Sequence, residues 1–189
     1  MLILASKSPR RRELLSLFTE NFKILTAECE EGPFSGGEVS EYVMSLAELK
    51  AAAVAKDNPE DTVLGADTVV AFRGEVLGKP RDEAHAKEML TSMSDGTQEV
   101  YTGVCIFSRG EKIRFFEKTY VSFRPLSEQE IDDYIATGES LDKAGAYGIQ
   151  GGAGEFVNRV SGDYFNVIGL PMKKTAEVLE EILKTHSEW

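Results

Sequence analysis

Ser6-Lys7-Ser8-Pro9-Arg10-Arg11-Arg12 reads as the opening of a helix, with Ser8 suited to the N-cap and Pro9 to the first helical position. The arginines that follow suit the helix poorly. A helix N-terminus already carries partial positive charge, and each added cation there costs about 0.3–1 kcal/mol. A local rule broken this openly points to a functional site. Free backbone N–H groups, the positive dipole end and guanidinium forks together make an anion site suited to phosphate. The alternative is a solvated basic turn, and the motif alone specifies an anion, not a nucleotide.

Gly65-Ala66-Asp67-Thr68-Val69-Val70 places a carboxylate inside an apolar, β-branched run. A buried carboxylate without a partner costs several kcal/mol, so Asp67 should have a metal, a cation or hydrogen-bond donors. Lys79, in Gly78-Lys79-Pro80 beyond the turn at Arg73-Gly74, is the expected partner. A two-residue turn would set Lys79 opposite Thr68, on the wrong face for Asp67; a three-residue loop through Glu75 would bring it to the same face. A structural ion pair is the competing explanation. Asp142 to Gln150 supplies an acid, a base and an amide within nine residues of a glycine-rich stretch that runs on to Gly151-Gly152. Its spacing fits neither a Walker A loop nor a dinucleotide fingerprint, and it also fits a plain tight turn. Glu31 is a further loop acid, open to a solvated role. Arginines for phosphate, acids for a divalent ion and a lysine near an acid suit hydrolysis at phosphorus, which needs charge neutralisation and an aligned water.

The elements that must position these groups follow from periodicity and turn chemistry. Strands are expected at Met1 to Ala5, Phe22 to Thr26, Val63 to Phe72, Val100 to Phe107, Ile113 to Phe123 and Tyr164 to Ile168. Helices are expected at Pro9 to Phe18, Ser40 to Lys56, Asp82 to Met93, Ser127 to Ala136 and from Pro171 to near Lys184. Ser127 and Glu130 are spaced as a capping box. Glu30 to Gly37 and Leu141 to Gly154 read as loops. Phe115-Phe116 reads as core, and His85 and His186 carry no assigned role. Strands and helices alternate early and the middle holds a hairpin, so an α/β fold with a mixed sheet is expected.

The 189 residues suit one domain or two closely packed lobes. A formal charge of −11 opposes non-specific binding to a nucleic-acid backbone. No apolar run is long enough to span a membrane, and Met1 to Ser6 lacks the positive flank of a signal peptide. Cys29 and Cys105 are the only cysteines and sit in no paired motif. A cytoplasmic protein with neither membrane nor nucleic-acid partner is therefore expected.

Leu4-Ala5-Ser6-Lys7-Ser8-Pro9-Arg10-Arg11-Arg12-Glu13-Leu14-Leu15 resembles the opening signature of the Maf family of nucleotide pyrophosphatases. The resemblance continues through Glu31, Glu41-Tyr42-Val43, Leu46-Ala47 and Lys50-Ala51. It resumes at Gly65 to Val70, Gly78-Lys79-Pro80, Asp142 to Gly151 and Asn166-Val167-Ile168-Gly169-Leu170-Pro171. It implies one Maf-like domain over residues 1–189: an elongated, twisted mixed sheet flanked by helices, in two lobes with an active-site cleft between them, as in ITPase-like folds. It also implies a homodimer and hydrolysis of nucleoside triphosphates to the monophosphate and pyrophosphate with a divalent metal, Mg2+ or Mn2+. By the same resemblance Ser8, Arg10 and Arg11 hold the triphosphate, and Glu31 and Asp67 hold the metal or orient the water, with Asp67 as general base. Lys50 and Lys79 neutralise developing charge, and Gln150 binds the nucleotide. Thr68 and Gly148-Ile149-Gln150-Gly151 resemble the branch acting on dTTP and UTP. The sister branch, which prefers 7-methyl-GTP, tends to have glutamine at the place of Thr68 and glutamate at that of Gln150. An amide can both donate to and accept from a pyrimidine edge, whereas a carboxylate only accepts. Family members have also been discussed as house-cleaning enzymes and as septum-formation inhibitors, so the rival expectations are a 7-methyl-GTP or broad non-canonical triphosphate pyrophosphatase and a nucleotide-binding regulator without useful catalysis. Asp95-Gly96-Thr97-Gln98 departs from the Gly-Arg-Thr-His-like stretch common in the family, which puts Gln98 in place of a histidine.

Overall fold

The computed structural model describes residues 1–185, so His186 lies outside the described residues. Seven strands form one mixed sheet: β1 (Leu2–Leu4), β2 (Phe22–Ile24), β3 (Thr62–Phe72), β4 (Glu75–Leu77), β5 (Thr97–Ser108), β6 (Glu111–Phe123) and β7 (Val157–Ser161). Their order is β2-β1-β3-β5-β6-β7, with β4 paired to β3. The helices are α1 (Pro9–Ser16), α2 (Val39–Ala55), α3 (Glu83–Met93), α4 (Glu128–Ala136), α5 (Tyr164–Ile168) and α6 (Met172–Thr185). None of the described helices is long and apolar enough to cross a membrane. The chain forms two compact units, each made of non-consecutive segments. One holds Met1–Asp67, Thr102–Glu117 and the chain from Gly169 on; the other holds Thr68–Tyr101 and Lys118–Ile168.

In the first unit β1 runs parallel to both neighbours, with Leu4 paired to Ile24 and to Leu64. Helix α2 packs on this layer through small residues. A Cβ on Gly65 would stand 2.6 Å from the Ala47 carbonyl oxygen, and one on Gly103 2.5 Å from that of Val43. The missing side chains let α2 approach, and Ile3, Ala47, Ala51, Val54, Val63 and Cys105 fill the space. Burial, reinforced by the charge of Glu48, pushes the Cys105 thiol up to about 12. Phe115 is buried but Phe116 is 38% exposed. The expectation that both are core fails because successive residues of a strand face opposite ways.

The second unit is built on Val70, Phe72, Met89, Leu90, Met93, Phe123, Ile131 and Tyr134, which join α3 and α4 to the strands. The expected capping box is present: the Glu130 N–H donates to Ser127 Oγ (3.3 Å) and the Ser127 N–H to Glu130 Oε2 (2.8 Å). The β3–β4 turn has two residues, Arg73 and Gly74, at φ 52° and 83°, and pairs Val70 with Leu77. Two positive φ values are the type I′ pattern.

Helix α5 and the strands β4 and β7 were not expected. Tyr164–Ile168 is a short helix rather than a strand. Asp163 Oδ1 accepts from the N–H groups of Phe165 (2.8 Å) and Asn166 (3.4 Å), so a side-chain cap starts a helix in a sequence of strand-prone residues. The buried Asn166 amide then donates to the Val100 carbonyl and to Thr119 Oγ1, both at 3.0 Å, which locks the turn in place. Strand β7 pairs antiparallel with β6, Val121 against Val160.

Candidate active site

Asp67 ends the first unit's share of β3, where Asp67 and Thr68 are the half-buried pair in a strand otherwise buried throughout. Its cation is Lys50. The Lys50 ammonium donates to Asp67 Oδ1 and also pairs with Glu31 Oε1 at 2.9 Å, so one ammonium gathers two carboxylates. Side-chain exposure rises outward along this row, from 13% at Asp67 through 22% at Lys50 to 45% at Glu31. Lys50 projects from α2, whose approach is set by Gly65, two residues before Asp67. Burial pulls the Lys50 ammonium down, but the charge of Asp67 and the hydrogen bonds to Asp67 and Glu31 outweigh it and hold Lys50 above its ordinary value.

The charges of the same acids reach Arg11 in the helix start. Ser8 is the N-cap of α1, and its hydroxyl accepts from the Arg11 N–H at 3.4 Å. Arg11 Nε donates to the Gly169 carbonyl at 2.8 Å, and Nη1 reaches Ser6 Oγ at 3.5 Å. Burial lowers the Arg11 guanidinium, Asp67 and Glu31 act against it, and Arg10 adds to the lowering. Arg11 therefore belongs to the electrostatic neighbourhood of Glu31 and Asp67, with α1 braced against the chain at Gly169. Ser8, Arg10, Arg11, Glu31, Lys50 and Asp67 all lie in the first unit.

Thr68, Lys79 and Gln150 lie in the second. Lys79 was expected to neutralise Asp67, but the two-residue turn selects the register that would set Lys79 opposite Thr68, and the pairing ends at Leu77 before reaching it. Lys79 instead sits on an exposed strap whose Gly78 carbonyl accepts from the Gly145 N–H at 3.0 Å. That bond ties the strap to the glycine-rich segment. The segment itself is anchored at several points: Tyr147 packs edge-on to Phe123 with ring centroids 4.8 Å apart, the Gly148 N–H donates to the Tyr134 hydroxyl (3.3 Å), and the Gly152 N–H to Glu139 Oε2 (3.1 Å). Lys143 bonds the Glu139 carbonyl (2.8 Å) and Asp142 (2.6 Å), so the loop's own acid and base hold its shape. Gln150 is left exposed between these anchors. Gln98 is wholly buried, and its amide opposes the rise that burial imposes on the Tyr147 phenol, so position 98 is interior to this unit.

Reasoning from the residues alone missed Lys50 as the partner of Asp67. The available signal was a lysine on the helix side that buries Val43, Leu46, Ala47, Ala51 and Val54. A cation among such neighbours needs an acid. Tyr42, eight residues earlier on α2, was also missed: its hydroxyl donates to the Gly32 carbonyl at 3.0 Å.

Residues 1–182 match the family described as Maf-like protein. A Bacillus cereus protein named dTTP/UTP pyrophosphatase is 50% identical over 180 residues, covering 95% of this chain and 94% of that protein. A Bacillus anthracis protein of the same name is 49% identical with the same coverage. Among solved structures, a HAM1 protein from Coxiella burnetii superposes with a TM-score of 0.51 at 13% identity, covering 95% of this chain and 98% of that one, a likeness of fold alone. The family match over residues 1–182 and the half-identical relatives show that the chain belongs to the Maf family.

Proposed function

We propose that this protein hydrolyses pyrimidine nucleoside triphosphates, dTTP and UTP foremost, to the monophosphate and pyrophosphate. The observation that carries the reading is the convergence of Glu31 and Asp67 on a single ammonium beside Arg11. The half-identical relatives named dTTP/UTP pyrophosphatase support the substrate class.

The residues fit a divalent ion of the Mg2+ or Mn2+ kind. Two hard carboxylates already aimed at one cationic group are a sufficient protein contribution for such an ion, which keeps waters and takes phosphate oxygens as further ligands. When bound, the ion neutralises phosphate charge. The chain's own groups do the rest. Asp67, the least exposed carboxylate of the row, takes the proton from the attacking water. The new bond joins that water oxygen to the α-phosphorus; the bond from the α-phosphorus to the α–β bridging oxygen breaks, and pyrophosphate leaves. Glu31 and Asp67 would hold the ion, and the Lys50 ammonium beside them supplies positive charge to the phosphates. Ser8, Arg10 and Arg11 hold the triphosphate at the start of α1. Lys79 adds positive charge, and Thr68 and Gln150 contact the nucleoside, the Gln150 amide offering both donor and acceptor to a pyrimidine edge.

The test is pyrophosphate release from dTTP, UTP, CTP, 7-methyl-GTP and ITP with magnesium or manganese. Fast release from dTTP and UTP is the expected result. Preference for 7-methyl-GTP would overturn the pyrimidine assignment, and no release from any of the five would put a nucleotide-binding regulator in its place.

Arg10→Ala should raise KM for triphosphates about tenfold or more with a smaller change in kcat, the loss of one charge-assisted phosphate contact. An unchanged KM with altered thermal stability would reduce the basic helix start to a structural role.

A further inference from the structure

Glu31 stands in a stretch with neither helix nor strand, running from the end of β2 to the start of α2 and containing Gly32, Gly36 and Gly37. A carboxylate on such a segment has many positions open to it, and gathering it beside Asp67 costs conformational entropy. One contact that opposes this is the pair with Lys50. That contact uses the Glu31 carboxylate itself, so a metal ion held by Glu31 would compete with it. The contact at the next residue meets no such competition. The Tyr42 hydroxyl donates to the Gly32 carbonyl at 3.0 Å, and the Tyr42 ring packs against Phe34, centroids 5.2 Å apart.

Helix α2 thus holds two consecutive loop residues by two separate grips, Lys50 on the Glu31 side chain and Tyr42 on the Gly32 backbone. Tyr42 lies in the first turn of α2, eight residues before Lys50 and on the same side of the helix. We infer that Tyr42 is a positioning residue for catalysis: by fixing Gly32 and Phe34 it keeps Glu31 at the metal-binding place independently of Lys50. The inference rests on the metal-assisted reading of Glu31 and Asp67 given above. The field around the phenol agrees with its placement, since burial and then the charges of Asp67 and Glu31 raise it, with Lys50 opposing.

The chain carries its own reporter of this segment. Cys29, two residues before Glu31, is half-buried, while Cys105 is fully buried with its thiol pushed up to about 12. Exchange with dithiobisnitrobenzoate, in which the thiolate attacks the reagent disulfide and releases coloured thionitrobenzoate, should read Cys29, and Cys29→Ser should abolish the signal. Tyr42→Phe keeps the ring and removes the hydroxyl. It should speed Cys29 labelling by about three- to tenfold, the population change that losing one ordinary hydrogen bond allows. It should also raise the half-saturating metal concentration by a similar factor, restore kcat at saturating metal, and leave the thermal midpoint of the rest of the protein in place. Unchanged labelling in Tyr42→Phe overturns the proposal. Faster labelling with unaltered metal dependence also overturns it, provided that Glu31→Gln, run alongside, loses turnover. An active Glu31→Gln would instead condemn the role given to Glu31, and labelling alone would then decide whether Tyr42 holds the loop.

Discussion

Asp67→Asn should lower kcat by about 10²–10⁴-fold, the range for removing a positioned general base, while the protein stays folded. The amide has nearly the shape of the carboxylate and still accepts a hydrogen bond from Lys50, but it cannot take a proton from water. It also loses the charge that draws Lys50 inward, so a stability cost of ~1.5–3 kcal/mol is expected, the scale of a hydrogen bond to a charged group. Glu31 remains as a second acid for the ammonium, which limits the damage. The two effects separate in one experiment that follows pyrophosphate release and thermal unfolding together. A rate near that of the unaltered protein would remove Asp67 from the base role. Loss of rate only in step with loss of fold would make the Asp67–Lys50 pair a structural tie.

Gly65→Ala should damage both fold and turnover from a buried position under α2. The added methyl would stand 2.6 Å from the Ala47 carbonyl oxygen, 2.7 Å from the Ala51 nitrogen and 2.8 Å from Ala51 Cβ. Two of these are backbone atoms, so no side chain can swing aside and α2 itself must retreat by roughly an ångström to regain ordinary contact. Overpacking of this kind costs about 1–3 kcal/mol. Lys50 rides on the displaced helix while Asp67 stays on the strand, and a misplacement of about an ångström in a catalytic group can cost on the order of 10²-fold in rate. Chemical denaturation and kcat/KM measured together give the answer. If neither moves, the close seating of α2 is not what places Lys50.

The local signals for the first unit were legible because its candidate site residues are announced within a few residues. Ser8-Pro9 marks a helix start, the arginines break the rule for that start, and Asp67 breaks the pattern of its strand. The partner of Asp67 was harder to read. Lys79 is closer along the chain and invites a hairpin argument, whereas Lys50 is seventeen residues upstream on another element, and only packing brings it across. Sequence proximity favours the hairpin; the turn chemistry of Arg73-Gly74, both at positive φ, decides the register against it. Tyr164–Ile168 was misread because its aromatic and branched residues favour a strand, and the deciding groups, Asp163 and Asn166, act through hydrogen bonds that strand propensity does not weigh. Strand β7 was missed because Val157-Asn158-Arg159-Val160-Ser161 is largely polar and takes its order from the edge of β6.

The bond from Arg11 Nε to the Gly169 carbonyl spans 158 residues, and the first unit is finished only by the chain from Gly169 on. The second unit, by contrast, is complete at Ile168. In chain order α1 emerges first, but the oxygen that braces its arginine lies 158 residues further on. A chain halted before Gly169 would possess Ser8, Arg10, Glu31, Lys50 and Asp67 and still lack the carbonyl that braces Arg11.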